Sequence, residues 1–433
     1  MFSNPKRLIA ALALLIALPV SAHAQTSRVE GMAIQGDYIK DYTSIYQWPA
    51  QVPNVGNLVY GEFGNSDFPN GSYDRAVGAV LGNLWDGRFG TWAIHLRENT
   101  PNLGSGDVSS HAHAGIAGFD PNNHSNQSFD LQWGRKFGTT SFGLALNRSF
   151  YREEVSIPGV TTTLEFDDPT AGDPNLARNI WGFGGGIAFE MNPQSMFEVS
   201  VLYQNRTFED SFDDGTVPGT FRDEDDGSTA YILAARMMWQ WTSNVVVTPV
   251  FKWYNYDLGV TSLAGGTTTS YDNSMSGWQI GAAGNWSLGA NDLFVLGATF
   301  ANNKIEQQYD LFGLSGLSGL SDTLDVSETI YPQIFAALET HVNSWLTLRF
   351  GANKGVFQTI KLEEQGAGTG PGQTTDEISF SDFNMMLGAG VKVGTLQFDA
   401  IVADDFFQNL GWLGSGNSRT GGYFPKVTAT YGF

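Results

Sequence analysis

Residues 231–242 read YILAARMMWQWT, and large apolar side chains recur at every second position, among them Leu233, Met237 and Trp239. The positions between them include Arg236 and Gln240. Successive side chains of a β-strand point to opposite faces. The alternation therefore predicts a strand with one strongly apolar face, and it does not fit the spacing of an amphipathic helix.

The same alternation recurs along the chain, and its segments are joined by connections that are in turn short and long. Residues 245–254, 278–288 and 346–353 repeat it. Seven tight turns lie near residues 87, 139, 193, 243, 290, 343 and 394, and eight longer loops centre near residues 70, 113, 167, 218, 267, 317, 370 and 415. This layout predicts an all-β fold, a transmembrane antiparallel up-and-down β-barrel of about sixteen strands, or alternatively about fourteen. The short turns would be periplasmic and the long loops extracellular.

The composition narrows the function classes. The 433 residues include 23 Lys and Arg against 44 Asp and Glu, a formal charge of −21, and no Cys. Strong acidity argues against a nucleic-acid partner, and the lack of Cys excludes disulfides, thiolate metal sites and a Cys nucleophile. A soluble β-sandwich or propeller is the alternative to a membrane barrel. The faces opposite the apolar ones, however, are rich in Gly, Ala, Ser, Asn and Gln, as expected of a barrel lumen.

Aromatic side chains gather at two levels of the predicted strands. One set lies near the short turns: Trp85, Phe137, Trp239, Trp241, Trp286 and Trp345. A second set lies about ten residues further along: Tyr151, Tyr203, Trp253 and Tyr256. Two aromatic bands separated by one hydrocarbon thickness are typical of a barrel that crosses a bilayer.

The N-terminus predicts export. Lys6 and Arg7 precede an apolar run over residues 8–20, and small residues at Ala22 and Ala24 offer a cleavage site. We expect a signal peptide over residues 1–24, a periplasmic lead-in or hatch over residues 25–56, and the barrel over residues 57–433. The expected location is the outer membrane of a Gram-negative bacterium.

The last strand alternates in the same way and ends in an aromatic residue. Tyr431 and Phe433 share its apolar face with Val427 and Ala429. This ending resembles the terminal recognition strand of Gram-negative outer-membrane barrels. The resemblance implies that Tyr431 and Phe433 form an assembly signal that the barrel-assembly machinery recognises.

Residues 38–50 read YIKDYTSIYQWPA and precede the first predicted strand. They resemble the N-terminal region of the long-chain fatty acid transporter family, in which an Asp-containing stretch leads to an Asn-Pro-Ala motif. Pro49 and Ala50 match that motif, and Trp48 stands at its Asn position. The resemblance implies an N-terminal hatch inside the barrel, fourteen strands and transport of hydrophobic compounds. The residues alone equally allow a lead-in that only seals the bottom of the barrel.

The strand parity predicts which charged side chains face the lumen. The candidate pore-lining residues carry both signs: Arg97, Lys136, Arg206, Arg236, Lys252, Arg349, Lys392, Asp130, Glu190, Glu198, Glu339 and Asp399. Such a wall orders water and favours polar solutes, although inward charges can also simply pair across a narrow lumen. An acidic extracellular rim is predicted near residue 218, where it would attract cations: Glu209, Asp210, Asp213, Asp214, Asp223, Glu224, Asp225 and Asp226.

These residues predict a passive, porin-like channel for small polar or cationic solutes. The alternative is a hatch-bearing transporter of hydrophobic compounds, which the apolar Gly-Leu-Ser loop over residues 311–320 also supports, and a structural or adhesive barrel is a third hypothesis. We expect no enzyme, since no nucleophile or metalloprotease motif occurs, and no cofactor or metal. The expected partners are outer-membrane lipid and lipopolysaccharide, the assembly machinery and a small solute, with homo-oligomers left open.

Overall fold

The computed structural model describes the main body of the chain. The described residues are 27–64, 75–82, 84–97, 127–154, 175–192, 195–212, 221–257, 259–264, 267–272, 274–289, 292–310, 321–365, 373–381, 383–402 and 426–433. The predicted signal peptide, the loop over residues 311–320 and the rim residues Asp213 and Asp214 lie outside them. Among the described residues, no helix is both long and apolar enough to cross a membrane.

The described residues form 21 strands. In the first half these are β1 (Leu58–Gly64), β2 (Arg75–Leu81), β3 (Thr91–Arg97), β4 (Gln127–Phe137), β5 (Thr140–Glu154), β6 (Asn175–Asn192), β7 (Ser195–Phe212), β8 (Phe221–Asp225), β9 (Thr229–Thr242) and β10 (Val245–Asp257). In the second half they are β11 (Val260–Ala264), β12 (Thr267–Tyr271), β13 (Ser274–Ser287), β14 (Leu293–Asp310), β15 (Ser321–His341), β16 (Leu346–Gly355), β17 (Gln358–Gln365), β18 (Gln373–Phe380), β19 (Phe383–Val393), β20 (Leu396–Val402) and β21 (Lys426–Gly432).

The sheet closes on itself, because β1 pairs antiparallel with both β2 and β21. Leu58 lies opposite Val80 on one side and opposite Gly432 on the other. Five strands, β8, β11, β12, β17 and β18, extend the barrel wall at the end away from the short turns. The other sixteen strands, here called staves, pair in a closed ring, so the described residues make a closed barrel of sixteen staves. The prediction of sixteen strands is confirmed, and the alternative of fourteen is wrong.

Glycines with positive φ allow three of the tight turns. Gly138, Gly289 and Gly394 have φ values of 60°, 92° and 65°. Only glycine adopts this left-handed region without a steric penalty. The turns are short enough to join adjacent antiparallel staves directly, as the sequence predicted.

The outer face of the barrel is apolar. Phe142, Leu144, Phe183, Phe251 and Ile280 are each at least 40% exposed, as are many other large side chains of the same parity. Near the short turns Trp239 and Trp241 stack, 46% and 65% exposed. A closed barrel with such a belt has the architecture of outer-membrane barrels, in which no backbone edge meets lipid.

One aromatic prediction is wrong. Tyr203 and Trp253 do face outward, but Tyr256 is only 3% exposed and shares the inward parity of Lys252 and Tyr254. The spacing of aromatics along β10 gave the correct level on the strand but the wrong face.

Residues 27–56, here called the luminal segment, lie inside the barrel. They form a short α1 (Ser27–Glu30) and three 3₁₀ helices over Gly36–Tyr38, Tyr42–Tyr46 and Pro49–Asn54. Their side chains are almost completely enclosed: Val29, Met32, Tyr38, Ile45 and Val52 are 0% exposed. The segment therefore has no core of its own and is packed against the inner wall of the barrel.

Candidate functional site: the occluded lumen

Glycines in the wall make room for the backbone of the luminal segment. A Cβ atom added to Gly351 would lie 1.6 Å from the carbonyl oxygen of Met32, and one added to Gly143 would lie 2.0 Å from that of Pro49. On β13, a Cβ atom at Gly281 would lie 2.1 Å from the Tyr38 hydroxyl. Gly351 on β16 and Gly143 on β5 are sockets for the backbone of the segment, and any larger residue at either position would displace it. Gly281 on β13 makes room only for the end of the Tyr38 side chain.

Asp37 is the centre of the contacts between the segment and the wall. Its carboxylate is 4% exposed, accepts a hydrogen bond from Trp48 Nε1 at 3.0 Å and forms an ion pair with Lys252 of β10. Arg236 of β9 donates to the Asp37 carbonyl oxygen at 2.9 Å. The guanidinium of Arg236 also lies 4.7 Å from the centre of the Trp48 ring, within the range of a cation–π interaction.

The electrostatic environment keeps Asp37 ionised. Burial alone would raise the pKa of its carboxyl group, but the neighbouring charges of Lys252 and Arg236 and the bond from Trp48 outweigh burial and hold that pKa below its usual range. A buried carboxylate with a buried ammonium partner is stable only while both stay charged.

A second set of contacts joins Arg236 to the other end of the segment. Glu198 of β7 forms an ion pair with Arg236 and accepts a hydrogen bond from Gln51 Nε2 at 2.5 Å. Gln47 Nε2 donates to Ser200 Oγ at 3.2 Å. Glu198 is 1% exposed and Arg236 is 2% exposed, so this pair is shielded from water.

Arg28 of the luminal segment begins a second chain of ion pairs, which reaches a different part of the wall. It contacts Asp41 at 3.1 Å and Glu339 of β15 at 2.8 Å. Glu339 also lies 2.6 Å from Arg349 of β16, which lies 2.7 Å from Asp399 of β20. The luminal segment is thereby tied to three further staves of the barrel.

Uncharged groups also join the luminal segment to the barrel wall. The Tyr38 hydroxyl lies 2.8 Å from Thr299 Oγ1, Asn285 donates to the Tyr38 carbonyl oxygen at 2.9 Å, and Asn353 donates to that of Ala33 at 3.0 Å. An apolar cluster lies between these bonds, and it joins segment and wall: Val29, Met32, Ile34, Tyr38, Ile39, Val250, Ala283, Val295, Phe335 and Ala337.

A polar network fills the lumen beside β1 to β4. The Tyr60 hydroxyl lies 2.8 Å from His95 Nδ1 and hydrogen-bonds to that of Tyr46. Arg97 lies 3.2 Å from Asp130 and 3.7 Å from the centre of the Tyr46 ring. The luminal segment therefore contacts the wall on every side of the barrel.

Beneath the segment a cavity of about 580 Å³ opens toward the short turns. Its lining includes three basic side chains, those of Arg28, Lys40 and Arg236, and three acidic ones, those of Asp41, Glu190 and Asp399. Lys40 is exposed, whereas Arg28, Arg236 and Asp399 are held in ion pairs. The cavity is a polar vestibule below an occluded lumen.

The predicted pore-lining side chains all lie on inward positions. Eight of them are less than 9% exposed: Asp130, Glu198, Arg206, Arg236, Lys252, Glu339, Arg349 and Asp399. Arg97 is nearly buried, while Lys136 and Glu190 form a partly exposed pair of 2.5 Å near the short turns, where Lys392 is also exposed. The structure brings six of the buried eight against the luminal segment or into its chain of ion pairs. Their role in lining a permeation path stays a prediction.

The described part of the acidic rim follows the β7–β8 hairpin. Glu209 lies opposite Glu224, and Asp210 opposite Asp223. Asp225 has a structural role, because it accepts bonds from the backbone nitrogens of Gly227 at 3.0 Å and Ser228 at 2.8 Å. The described residues hold no group of three or more His, Asp or Glu side chains placed to bind a metal ion.

The contacts that fix the luminal segment escaped sequence reasoning. Asp37, Gln51 and Arg28 belong to no motif, and their partners on the wall lie 145 or more residues away along the chain. Trp48 stands at the Asn position of the Asn-Pro-Ala motif, but that position does not predict its bond to Asp37. The one signal was the density of aromatic and apolar residues in a stretch without strand alternation.

No protein-family model and no curated protein sequence matches the chain. Similar solved structures include the toluene transporter TodX from Pseudomonas putida, with 11% identity over 96% of this chain and 97% of that chain and a TM-score of 0.40. A FadL homologue from Pseudomonas aeruginosa has 9% identity over 96% of this chain and 100% of that chain, with a TM-score of 0.36. The ferric yersiniabactin receptor FyuA from Yersinia pestis has 11% identity over 80% of this chain and 68% of that chain, with a TM-score of 0.36. Likenesses this distant carry no inference about cargo.

The architecture itself gives the location. The barrel is closed, its outer face is apolar and its turns are short at one end. Barrels of this kind lie in the outer membrane, with the short turns in the periplasm.

Proposed function

We propose that the protein is an outer-membrane transporter of hydrophobic compounds, with the luminal segment as its hatch. The observation that carries this proposal is the set of contacts between the luminal segment and the barrel wall. Its residues bond to β7, β9, β10, β13, β14, β15, β16 and β21, and its backbone fills sockets on β5 and β16. A barrel of sixteen strands is otherwise wide enough for an aqueous channel.

The contents of the lumen favour apolar cargo over ions. An open diffusion pore needs a continuous water path, whereas here Trp48, Tyr38 and Phe335 are at most 4% exposed in the middle of the barrel. The apolar cluster around Tyr38 and Phe335 joins the hatch to the wall, so a small shift of the hatch would expose an apolar surface to a solute. The N-terminal resemblance to the fatty acid transporter family agrees with this function.

Uptake in cells tests the proposal. The host should lack its own transporter for hydrophobic compounds and should produce either the whole protein or a variant without residues 25–56. We expect the whole protein to take up a labelled long-chain fatty acid and to exclude a labelled trisaccharide, and the deletion variant to admit the trisaccharide. Trisaccharide entry through the whole protein at the rate of the deletion variant would contradict the proposal.

The vestibule supports a second candidate, a channel for small polar or cationic solutes. Its lining includes Lys40, Asp41, Glu190 and Asp399 and is therefore mixed in charge. If the hatch moves aside at rest, such solutes would pass and conductance would be high. Conductance of the whole protein therefore separates the two functions.

A further inference from the structure

One residue of the luminal segment has a strained backbone. Ala33 has a φ of 50°, and among the non-glycine residues that the structure describes it alone lies in the left-handed region. That region is unfavourable for any L-residue with a Cβ atom. Such strain persists only where the surrounding contacts impose it, and it gathers at places that move or bind.

Contacts on either side of Ala33 impose this conformation. The Met32 carbonyl oxygen fills the socket at Gly351, and Asn353 donates to the Ala33 carbonyl oxygen at 3.0 Å. The Ala33 nitrogen donates to the Glu30 carbonyl oxygen at 2.9 Å. The position of the chain against β16 therefore maintains the strain, and leaving that position would release it.

Ala33 divides the luminal segment into two parts that bind different sectors of the wall. The N-terminal part, residues 27–32, contacts β15, β19, β20 and β21. The C-terminal part, residues 34–56, bonds to β7, β9, β10, β13 and β14. The bonds of the N-terminal part to the wall are those of Ser27 to Thr428 at 2.9 Å, Arg28 to Glu339 at 2.8 Å and Glu30 to Lys426 at 2.7 Å.

The N-terminal part is the more easily detached of the two. The side chains of Arg28 and Glu30 are each 23% exposed, whereas those of Asp37 and Lys252 are 4% and 2% exposed. Ion pairs that reach water cost less to break than fully buried ones. The C-terminal part also continues directly into β1, which holds it at the periplasmic end of the barrel.

The vestibule lies directly beneath the N-terminal part. Its lining includes Arg28, Asp399 of β20 and Thr430 of β21. Thr430 is two positions nearer the short turns than Thr428, on the same face of β21 and about 7 Å away. Removing residues 27–32 from this sector would therefore extend the vestibule upward along β20 and β21.

We propose that the hatch opens in two parts, with Ala33 as the hinge. The N-terminal part leaves the wall, the strain at Ala33 is released, and a path opens along β20 and β21 into the vestibule. The C-terminal part stays in place. This inference rests on the proposed function, because it takes the luminal segment as a hatch, and it adds which part moves and where the solute passes.

The reaction of buried cysteines with a maleimide tests the inference without any cargo. The chain has no Cys, so each variant of the refolded protein carries one thiol. Val29→Cys reports on the N-terminal part and Val52→Cys on the C-terminal part, and both valines are 0% exposed. We expect Val29→Cys to react at least tenfold faster. Equal rates, or a faster reaction of Val52→Cys, would overturn the inference.

A glycine at the hinge tests the role of strain. Glycine adopts a positive φ without penalty, so Ala33→Gly should favour the closed hatch and slow the reaction of Val29→Cys about fivefold. The reaction of Val52→Cys should not change. Ala50→Gly is the matched control, because Ala50 is also buried but lies in the 3₁₀ helix Pro49–Asn54, and it should not slow Val29→Cys. An unchanged or faster reaction of Val29→Cys in Ala33→Gly would overturn the inference, and heat-modifiable gel mobility verifies that each variant is folded.

A reversible staple tests the path. Ser27 Oγ and Thr428 Oγ1 are 2.9 Å apart, so the double variant Ser27→Cys, Thr428→Cys places two thiols within reach of a disulfide. We expect uptake of labelled long-chain fatty acid to fall at least fivefold in the oxidised variant and to recover on reduction. Undiminished uptake by the oxidised variant would overturn the inference. If the unmodified protein and the reduced variant both take up no fatty acid, the proposed function fails, whereas the labelling rates still decide which part of the segment moves.

Discussion

Asp37 of the luminal segment and Lys252 of β10 form an ion pair in the interior of the barrel, where their side chains are 4% and 2% exposed. They are 215 residues apart in the chain. Since Trp48 and Arg236 also bond to Asp37, this residue joins two parts of the hatch to two staves of the wall. The pair is more enclosed than the ion pairs that Arg28 forms with Glu339 and Glu30 forms with Lys426.

Replacing Asp37 by Asn should loosen the hatch. The change leaves Lys252 and Arg236 buried beside a neutral group, and breaking a buried pair typically costs about 3–5 kcal/mol. We expect a rise in ion leak through the refolded protein in planar bilayers and a lower thermal midpoint. The double variant Asp37→Asn, Lys252→Met removes both charges and should lose less stability than the two single changes added together. Additive losses would contradict a direct link.

The glycine socket at Gly351 predicts a steric effect. Alanine there would place its Cβ 1.6 Å from the Met32 carbonyl oxygen, so the hatch backbone must move. We expect Gly351→Ala to make the hatch accessible to protease and to increase leak while the barrel still forms. Gly185→Ala is the matched control, because its Cβ would meet no atom closer than 4.0 Å. Equal protease resistance of the two variants would show that the socket is not needed.

Acid should weaken the hatch through Asp37. Because the pKa of this carboxyl group is lowered in the folded protein, its stabilising effect is complete above the ordinary Asp value of about 3.9 and is lost as pH falls through the folded value. We expect leak to stay constant from about pH 7 to about pH 4 and to rise below that range. Asp37→Asn should leak at all these pH values with a flatter profile. A steep rise in both proteins at one pH would assign the effect to another group.

The acidic rim should influence ion selectivity once the hatch is removed. In the variant without residues 25–56, neutralising Glu209, Asp210, Asp223 and Glu224 to their amides should lower the preference for cations. Asp225 is left unchanged because it supports the turn at Gly227. Reversal potentials in a salt gradient measure the effect. Glu306→Gln, an exposed acid outside the barrel, should change nothing, and an unaltered reversal potential after rim neutralisation would exclude a role for the rim.

The strands could be predicted because their pattern is local. The alternation in residues 231–242 depends only on which side chains meet lipid, and it reappears as the alternating burial of β9. The sixteen staves followed from counting turns. Tyr256 shows the limit of this reasoning, because an aromatic residue fits either face and only its parity with Lys252 decides.

The interior of the barrel could be predicted only in part. Strand parity correctly placed Arg236, Lys252 and Glu339 on inward positions, but it could not give their partners. Those partners come from a segment without periodicity. The ion pairs of Lys252 and Glu339 with the segment, and the hydrogen bond from Arg236 to the Asp37 carbonyl oxygen, join residues more than 190 positions apart. Mixed inward charges are compatible with an open aqueous pore and also with a lumen that the luminal segment closes. Only the packing of Trp48 and Tyr38 distinguishes these two arrangements.

Single-channel conductance of the refolded protein without residues 1–24 in a planar bilayer tests the occluded lumen most directly. The deletion of residues 25–56 serves as the open reference. The account predicts that the whole protein inserts but conducts little or no current, while the deletion variant gives large, steady steps. Large and steady steps of equal size from both proteins would contradict an occluding hatch and would favour a passive channel for polar solutes.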